Sequence, residues 1–477
     1  MAVGERENYE ASHGKWPNRS GTILTEYPRL HGDAAAGRMT SLEARRLLEG
    51  IFARAIATVR GDRLIEMLSR VEGDNWICEA PGRTITWDLP PDGRVVVVGA
   101  GKAVASLAKG IERQLGDRIA GGCIIVKYGH VEALERIEQV EAGHPVPDEN
   151  GVVGTRRLLA MLDGLRAEDR VFVLLTGGAS SLLIAPVDGV TLADKAVVTS
   201  ALLRSRASIE DINAVRKALS QIKGGRLSER LAPAKSMTLL ISDVPSGNLA
   251  TIGSGPTIYD SLPKTDPLEI LERYGVRDQT PRSIVDHLIR RRAMPPGEAR
   301  AVAETKTILL ATSATVVRDV DAGAGRLGLP VVHVDLAMQG GTHAAARAFA
   351  LALKRHMAQA DYRPCLFVAA GETTLEVKGN GLGGRNQEFA LVVGQELAGE
   401  EGFVVLASGT DGTDGPTEAA GGFADGSTCR RAELAGFPVD RALAENDSNA
   451  LLRAIGDLHV TGPTGTNVMD LVLGLVF

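Results

Sequence analysis

Short apolar runs recur along the chain at residues 95–98, 124–126, 171–175, 238–241, 308–311, 331–334, 366–370 and 404–407, separated by stretches with helical periodicity. Alternation of that kind predicts α/β architecture with mostly parallel sheets flanked by helices. Ahead of the first run, Thr40 and Glu43 make a capping box, and Leu47, Ile51, Ala55 and Val59 recur at helical spacing, predicting a helix over 41–60. Ile212, Val215, Leu219 and Ile222 predict another over 209–225, ended by Gly224 and Gly225. An amphipathic helix is expected over 387–397. Residues 1–38 are polar and aperiodic and read as a disordered extension. Prolines and polar residues between 260 and 305 suggest a boundary, giving one domain at 39–290 and a second at 300–477.

In parallel α/β folds chemistry gathers where strands end. The runs are followed by Gly99-Ala-Gly-Lys102, Thr176-Gly-Gly-Ala-Ser-Ser181, Ser242-Asp243, Thr312-Ser-Ala-Thr315, Gly371-Glu372 and Ser408-Gly-Thr-Asp411-Gly-Thr-Asp414. Late in the chain stands Thr461-Gly-Pro-Thr464-Gly-Thr-Asn467. Small residues and hydroxyls build anion nests from backbone N–H groups, and interspersed carboxylates can hold a hard cation.

Composition narrows the classes. A chain of 477 residues exceeds one ordinary core, so two or three domains are expected. Aromatics are only 4% and the net charge is −6, which disfavours a nucleic-acid partner, since that needs a basic stripe or stacking platforms. Cys78, Cys123, Cys365 and Cys429 form no Cys-x-x-Cys pair, arguing against a zinc site or a disulfide framework. Neither a membrane-length apolar run nor a signal h-region is present, so the expected location is the cytoplasm.

Several segments stand out. Gly99, Gly101 and Lys102 fall short of a Walker loop, because Ala103 follows the lysine, and of a dinucleotide fingerprint, because Val104 occupies the third small position. Gly177, Gly178, Ser180 and Ser181 suit a phosphate or carboxylate on backbone amides. Arg216 lies on the polar face of the 209–225 helix, either cleft-lining or solvated. Arg385 begins a helix after four glycines, where the helix dipole opposes it; an anionic ligand would compensate. Asp243, Glu372 and Asp411 are the carboxylates placed to meet a metal, with a plain turn role as the alternative. His144, in Gly143-His-Pro-Val-Pro-Asp148, reads as structural.

Taken together, the runs 143–151, 175–183, 222–227, 383–388, 409–417 and 461–467 resemble the MOFRL-type glycerate 2-kinase family, in the expected order over residues 40–477. The resemblance implies phosphorylation of D-glycerate to 2-phosphoglycerate by ATP with Mg2+. It also implies a Rossmann-like first domain, a MOFRL-like second domain and a site in the cleft between them, with Lys102 and Arg385 as key residues. The chain departs from the family at Ser246, Gly247 and Asn248, where two acids are lost, which puts weight on Asp243, and at Ala218, where a histidine is usual.

On this reading Lys102 or Arg385 clamps carboxylate or phosphate. Gly99, Gly101, Gly177, Gly178, Ser180, Ser181, Arg216, Asn386, Thr464 and Asn467 bind substrate or phosphate, and Asp243 with Glu372 or Asp411 holds Mg2+. The expected partners are glycerate and ATP, with neither nucleic acid nor membrane; a homodimer stays open. The rival readings are an NAD(P)H-dependent hydroxypyruvate reductase, supported by the Gly99-Ala-Gly101 turn alone, and a non-catalytic sugar-acid or nucleotide sensor.

Overall fold

Thr40 and Glu43 cap each other reciprocally and start the helix Ser41–Thr58, which buries Leu47, Leu48, Ile51, Phe52 and Ala55. The structure, a computed structural model, describes residues 39–80, 82–243, 249, 252–258, 265–293, 301–335, 340–359 and 364–477. The extension 1–38 and, within the proline-punctuated stretch, residues 260–264 and 294–300 fall outside the described residues. After a short antiparallel sheet of β1 (Ser69–Glu72), β2 (Asn75–Ala80) and β3 (Arg83–Asp88), the chain enters the first of two six-stranded sheets. Trp76 and Trp87 fasten the small sheet to it by packing edge-on against Phe172, at 5.3 and 4.7 Å between ring centroids.

The first large sheet comprises β4 (Val95–Ala100), β5 (Ile119–Lys127), β6 (Ile137–Ala142), β7 (Arg170–Leu175), β8 (Lys235–Ile241) and β9 (Thr305–Ala311). Its order is β6-β5-β4-β7-β8-β9, with every pair parallel. That is a doubly wound arrangement whose strand order reverses between β4 and β7, and a crevice opens at such a reversal. The four valines of β4 are buried on both faces, which is why they form an unbroken apolar run.

The second large sheet contains β10 (Val331–His333), β11 (Cys365–Gly371), β12 (Phe403–Gly409), β13 (Gly421–Ala424), β14 (Leu458–His459) and β15 (Asp470–Val476). The order is β10-β11-β15-β12-β13-β14, and only β10 and β11 are parallel neighbours. Here the sheet is mixed where parallel pairing was expected. The final strand enters from the 461–469 loop without a crossover helix, so it slots antiparallel between β11 and β12. Asp470, its first residue, therefore lies opposite Gly371 and Gly409, where those two strands end.

Two segments cross the expected division. Thr305–Ala311 pairs with β8 at the edge of the first sheet rather than joining the second. Conversely, the helix Ser41–Thr58 packs on the helix Ser313–Arg326 and on β12 and β15. The helix expected over 209–225 stops at Ala218, because Ser220 turns the chain and caps the amides of Ile222 and Lys223. The later helix begins at Arg385, two residues earlier than its apolar pattern indicates.

Candidate active site

Two glycine turns meet at the reversal point of the first sheet. A Cβ on Gly101 (φ +141°) would lie 2.1 Å from Thr176 Oγ1, and one on Gly99 2.2 Å from the Leu174 carbonyl. Both glycines serve the close approach of adjacent strands. The amide of Gly101 donates to the Ile125 carbonyl at 3.1 Å, that of Lys102 to the Gly177 carbonyl at 2.9 Å, and that of Ala103 to Thr176 Oγ1 at 3.0 Å. The expectation of a phosphate nest at Gly99 and Gly101 is corrected accordingly: the fold itself consumes these N–H groups.

What the turn delivers is the Lys102 side chain. Its Nζ donates to Asp411 Oδ2 at 2.7 Å, crossing from the first sheet to the loop after β12 in the second. Burial opposes the ammonium, but Asp411 outweighs it and raises the lysine pKa. Burial likewise opposes the Asp411 carboxylate, while Lys102 and the Thr413 amide pull it down to about 2. Both partners are thus charged near neutrality. Lys127, at the end of β5, donates to Thr413 Oγ1 at 3.1 Å from the same side. His144 stands against Gly178 and Lys102, and burial with the two lysines pushes it down to about 3, so the imidazole is neutral.

Asp243 lies two residues past the end of β8 and accepts from Asn467 Nδ2 at 3.2 Å, again across the two sheets. Burial raises its pKa, and the Lys102 charge offsets only part of that. A Cβ on Gly177 would fall 1.8 Å from Asn467 Nδ2 and 2.1 Å from Asp243 Oδ2, so only glycine lets these three residues meet. Thr464 has a different job: its hydroxyl donates to the Thr410 carbonyl at 2.6 Å and its carbonyl accepts from Arg60 at 3.0 Å. It ties the seam rather than presenting a hydroxyl to phosphate.

Arg385 forms a second centre. Its Nε and Nη2 grip Asp470 at 2.6 and 2.9 Å, and Nη1 reaches Glu372 at 2.5 Å. The anion expected opposite this guanidinium is therefore supplied by the protein. Asp414, fully buried below it, accepts from the amides of Asn386 (3.1 Å) and Gln387 (2.9 Å), capping the helix from a distance. Burial pushes the Asp414 carboxyl up to about 6 against those bonds. Gly384 allows this, since a Cβ there would meet Asp414 Cγ at 2.3 Å. Asn386 spends its side-chain amide on Asp414 and Asp470 at 3.2 and 3.0 Å. Glu372 is near enough for its charge to act on Lys102, which joins the two centres.

Ser180 anchors a third group. Arg216 Nη2 donates to its hydroxyl at 2.9 Å, and Lys223 Nζ to its carbonyl at 2.7 Å and its hydroxyl at 2.9 Å. Ser181 instead closes a local turn on the Gly178 carbonyl at 3.1 Å.

A family model described as a domain of unknown function (DUF4147) matches residues 47–289, and the MOFRL family model matches 365–470. D-glycerate 2-kinase of Thermotoga maritima is 41% identical, over 83% of this chain and 94% of its own. The chain belongs to the glycerate 2-kinase family. A solved glycerate kinase from Thermotoga maritima superposes with a TM-score of 0.75 and 38% identity, covering 91% of this chain and 99% of that one. A relative from Agrobacterium vitis carrying a provisional hydroxypyruvate reductase name is 38% identical over 91% of this chain and 95% of its own.

Within the glycerate 2-kinase frame, the sequence-derived residues sort by place. Lys102, Gly177, Asp243, Asp411 and Asn467 converge at the seam; Glu372, Arg385 and Asn386 gather on Asp470; Ser180 and Arg216 lie with Lys223. Sequence reasoning missed Asp470 and Lys127. The one available signal was position: Asp470 opens an apolar run and Lys127 closes one.

Proposed function

We propose that this chain transfers the terminal phosphoryl group of ATP to the 2-hydroxyl of D-glycerate, giving 2-phosphoglycerate and ADP. The observation that carries this reading is the Lys102–Asp411 pair, which joins loops at the strand ends of two sheets inside a chain of the glycerate 2-kinase family. Phosphoryl transfer asks mainly for positioning and for positive charge around the moving group. Lys102 supplies that charge at the seam. Arg385 spends one edge on Asp470, leaving Nη1, shared with the more exposed Glu372, to meet an anionic oxygen of the substrate.

Among the described residues no three acidic, histidine or cysteine groups gather into a ready cage. Magnesium in such reactions is held by one or two carboxylates together with phosphate oxygens and water. Asp243 fits that need, since Asn467 is its one side-chain partner among the described residues; Asp411 stands beside it, and Glu372 is the further candidate. A bound Mg2+ would neutralise charge on the nucleotide phosphates. Asp411, accepting from Lys102, keeps the ammonium turned into the seam.

The test is to incubate purified protein with D-glycerate and MgATP and to follow ADP enzymatically and the product by phosphorus NMR. Formation of ADP and 2-phosphoglycerate is expected; a 3-phosphate product would overturn the regiochemistry. NADH oxidation with hydroxypyruvate, without ADP formation in the first mixture, would favour the reductase reading that the Agrobacterium vitis relative's name suggests.

A further inference from the structure

Several buried or half-buried cations among the described residues come with carboxylates. Lys102 has Asp411, Arg385 has Asp470 and Glu372, Arg45 and Arg431 both hold Asp425 and Asp457, and Arg60 holds Asp62 and Glu132. Lys195, Arg216 and Lys223 break the pattern. Among the described residues none of the three has a carboxylate partner, although Lys223 is only 3% exposed. Arg216 and Lys223 converge on Ser180, and Lys195 is close enough for its charge to act on Lys223.

A buried positive charge without a counter-ion is costly, and like charges side by side are costlier. Burial first, and then the neighbouring cations, push Lys223 well below its ordinary value; burial and Arg216 push Lys195 down to about 8; burial alone lowers Arg216. Folds carry such unfavourable charge mainly at functional sites, where a ligand supplies the missing anion.

We propose that Arg216 and Lys223, gathered about Ser180, form the seat of the nucleotide polyphosphate, with Lys195 as the neighbouring cation. The inference rests on the kinase reading above and deepens it. Three cations match a ligand of several negative charges better than the single carboxylate of glycerate. The position agrees. Ser180 follows Gly177 and Gly178, and those glycines touch Asp243, Asn467, His144 and Lys102, so phosphates seated at Ser180 can extend toward the Lys102–Asp411 seam. Among the described residues the amides of Gly177 and Gly178 find no backbone or side-chain acceptor, leaving donors along that path.

The experiment is calorimetric binding of ADP, and of inorganic tripolyphosphate as a base-free probe, to the full chain and to Arg216→Gln, Lys223→Met and Lys195→Gln, with the KM for D-glycerate in parallel. Each substitution is expected to weaken ADP and tripolyphosphate binding by about tenfold or more, with the glycerate KM within about twofold. Tripolyphosphate should displace ADP from the unaltered protein. ADP affinity unchanged in Arg216→Gln and Lys195→Gln overturns the proposal, and these two decide the matter if Lys223→Met does not fold. A raised glycerate KM with unchanged ADP affinity also overturns it, moving the trio to the acceptor. If the unaltered protein makes 2-phosphoglycerate while the variants keep ADP affinity, only this inference falls. If the variants lose ADP affinity but no phosphoglycerate ever forms, only the kinase reading falls.

Discussion

Lys102 of the first sheet and Asp411 of the second are joined at 2.7 Å, and each holds the other charged against burial. Replacing the lysine removes the positive charge at the seam and leaves a buried carboxylate without its cation. Lys102→Met is expected to lower kcat by about a thousandfold or more. It should also raise the Asp411 pKa from about 2 toward or beyond the ordinary carboxylate value. Steady-state kinetics and carboxyl NMR titration check the two parts; near-normal turnover would exclude Lys102 from the chemistry.

Arg385→Ala is expected to destabilise as well as inactivate. It strands Asp470, which is 1% exposed, and breaking a buried pair by removing one partner costs about 3–5 kcal/mol. The double variant Arg385→Ala, Asp470→Asn should regain much of that stability in a urea melt without regaining activity. Recovery of turnover in the double variant would show that the guanidinium is only structural.

Gly177→Ala places a methyl 1.8 Å from Asn467 Nδ2 and 2.1 Å from Asp243 Oδ2. The Asn467 and Asp243 side chains must then give way and their bond across the seam is lost, so activity should fall by about a hundredfold or more while far-ultraviolet circular dichroism is unchanged. Thr464→Val is the contrasting case. Losing its bond to the Thr410 carbonyl should cost about 1 kcal/mol in stability and leave the ATP KM within about twofold, which kinetics and a melt together test.

Asp414 gives a signed pH dependence. Its carboxyl titrates at about 6 when folded against an ordinary 3.8, so the folded state binds more protons in that interval. Its contribution is fully present below the ordinary value and is lost as pH rises through about 6. His144 and His459, depressed by burial to about 3 and about 4, act in the opposite sense, stabilising as pH rises toward their ordinary 6.5. The difference between unaltered protein and Asp414→Asn isolates the aspartate: the variant's urea midpoint should lack the decline over pH about 4 to 6. Equal slopes would show that Asp414 is ionised throughout.

Fold class and the glycine-rich loops that follow the strands were legible because they depend on short-range regularities. The runs at 95–98 and 171–175 are apolar since both faces of a parallel strand are covered, and glycines mark the turns that follow. The antiparallel entry of β15 was not legible, because an apolar run reads the same in either direction. Nor could the pattern reveal that the helix Ser41–Thr58 crosses to the second sheet, since an apolar stripe names no partner.

By itself, the sequence determined that this is an α/β protein of the glycerate 2-kinase pattern, with Lys102 and Arg385 at strand and helix ends; periodicity and motif order are properties of neighbours along the chain. Only the tertiary structure decided how those residues are used. It turned the Gly99-Ala-Gly101 amides inward, set Asp470 beneath Arg385, joined Lys102 to Asp411 and, among the described residues, gave Lys195, Arg216 and Lys223 no carboxylate. The reason is that charge compensation depends on distance in space, and residues 102 and 411 become neighbours only when two sheets close on one seam.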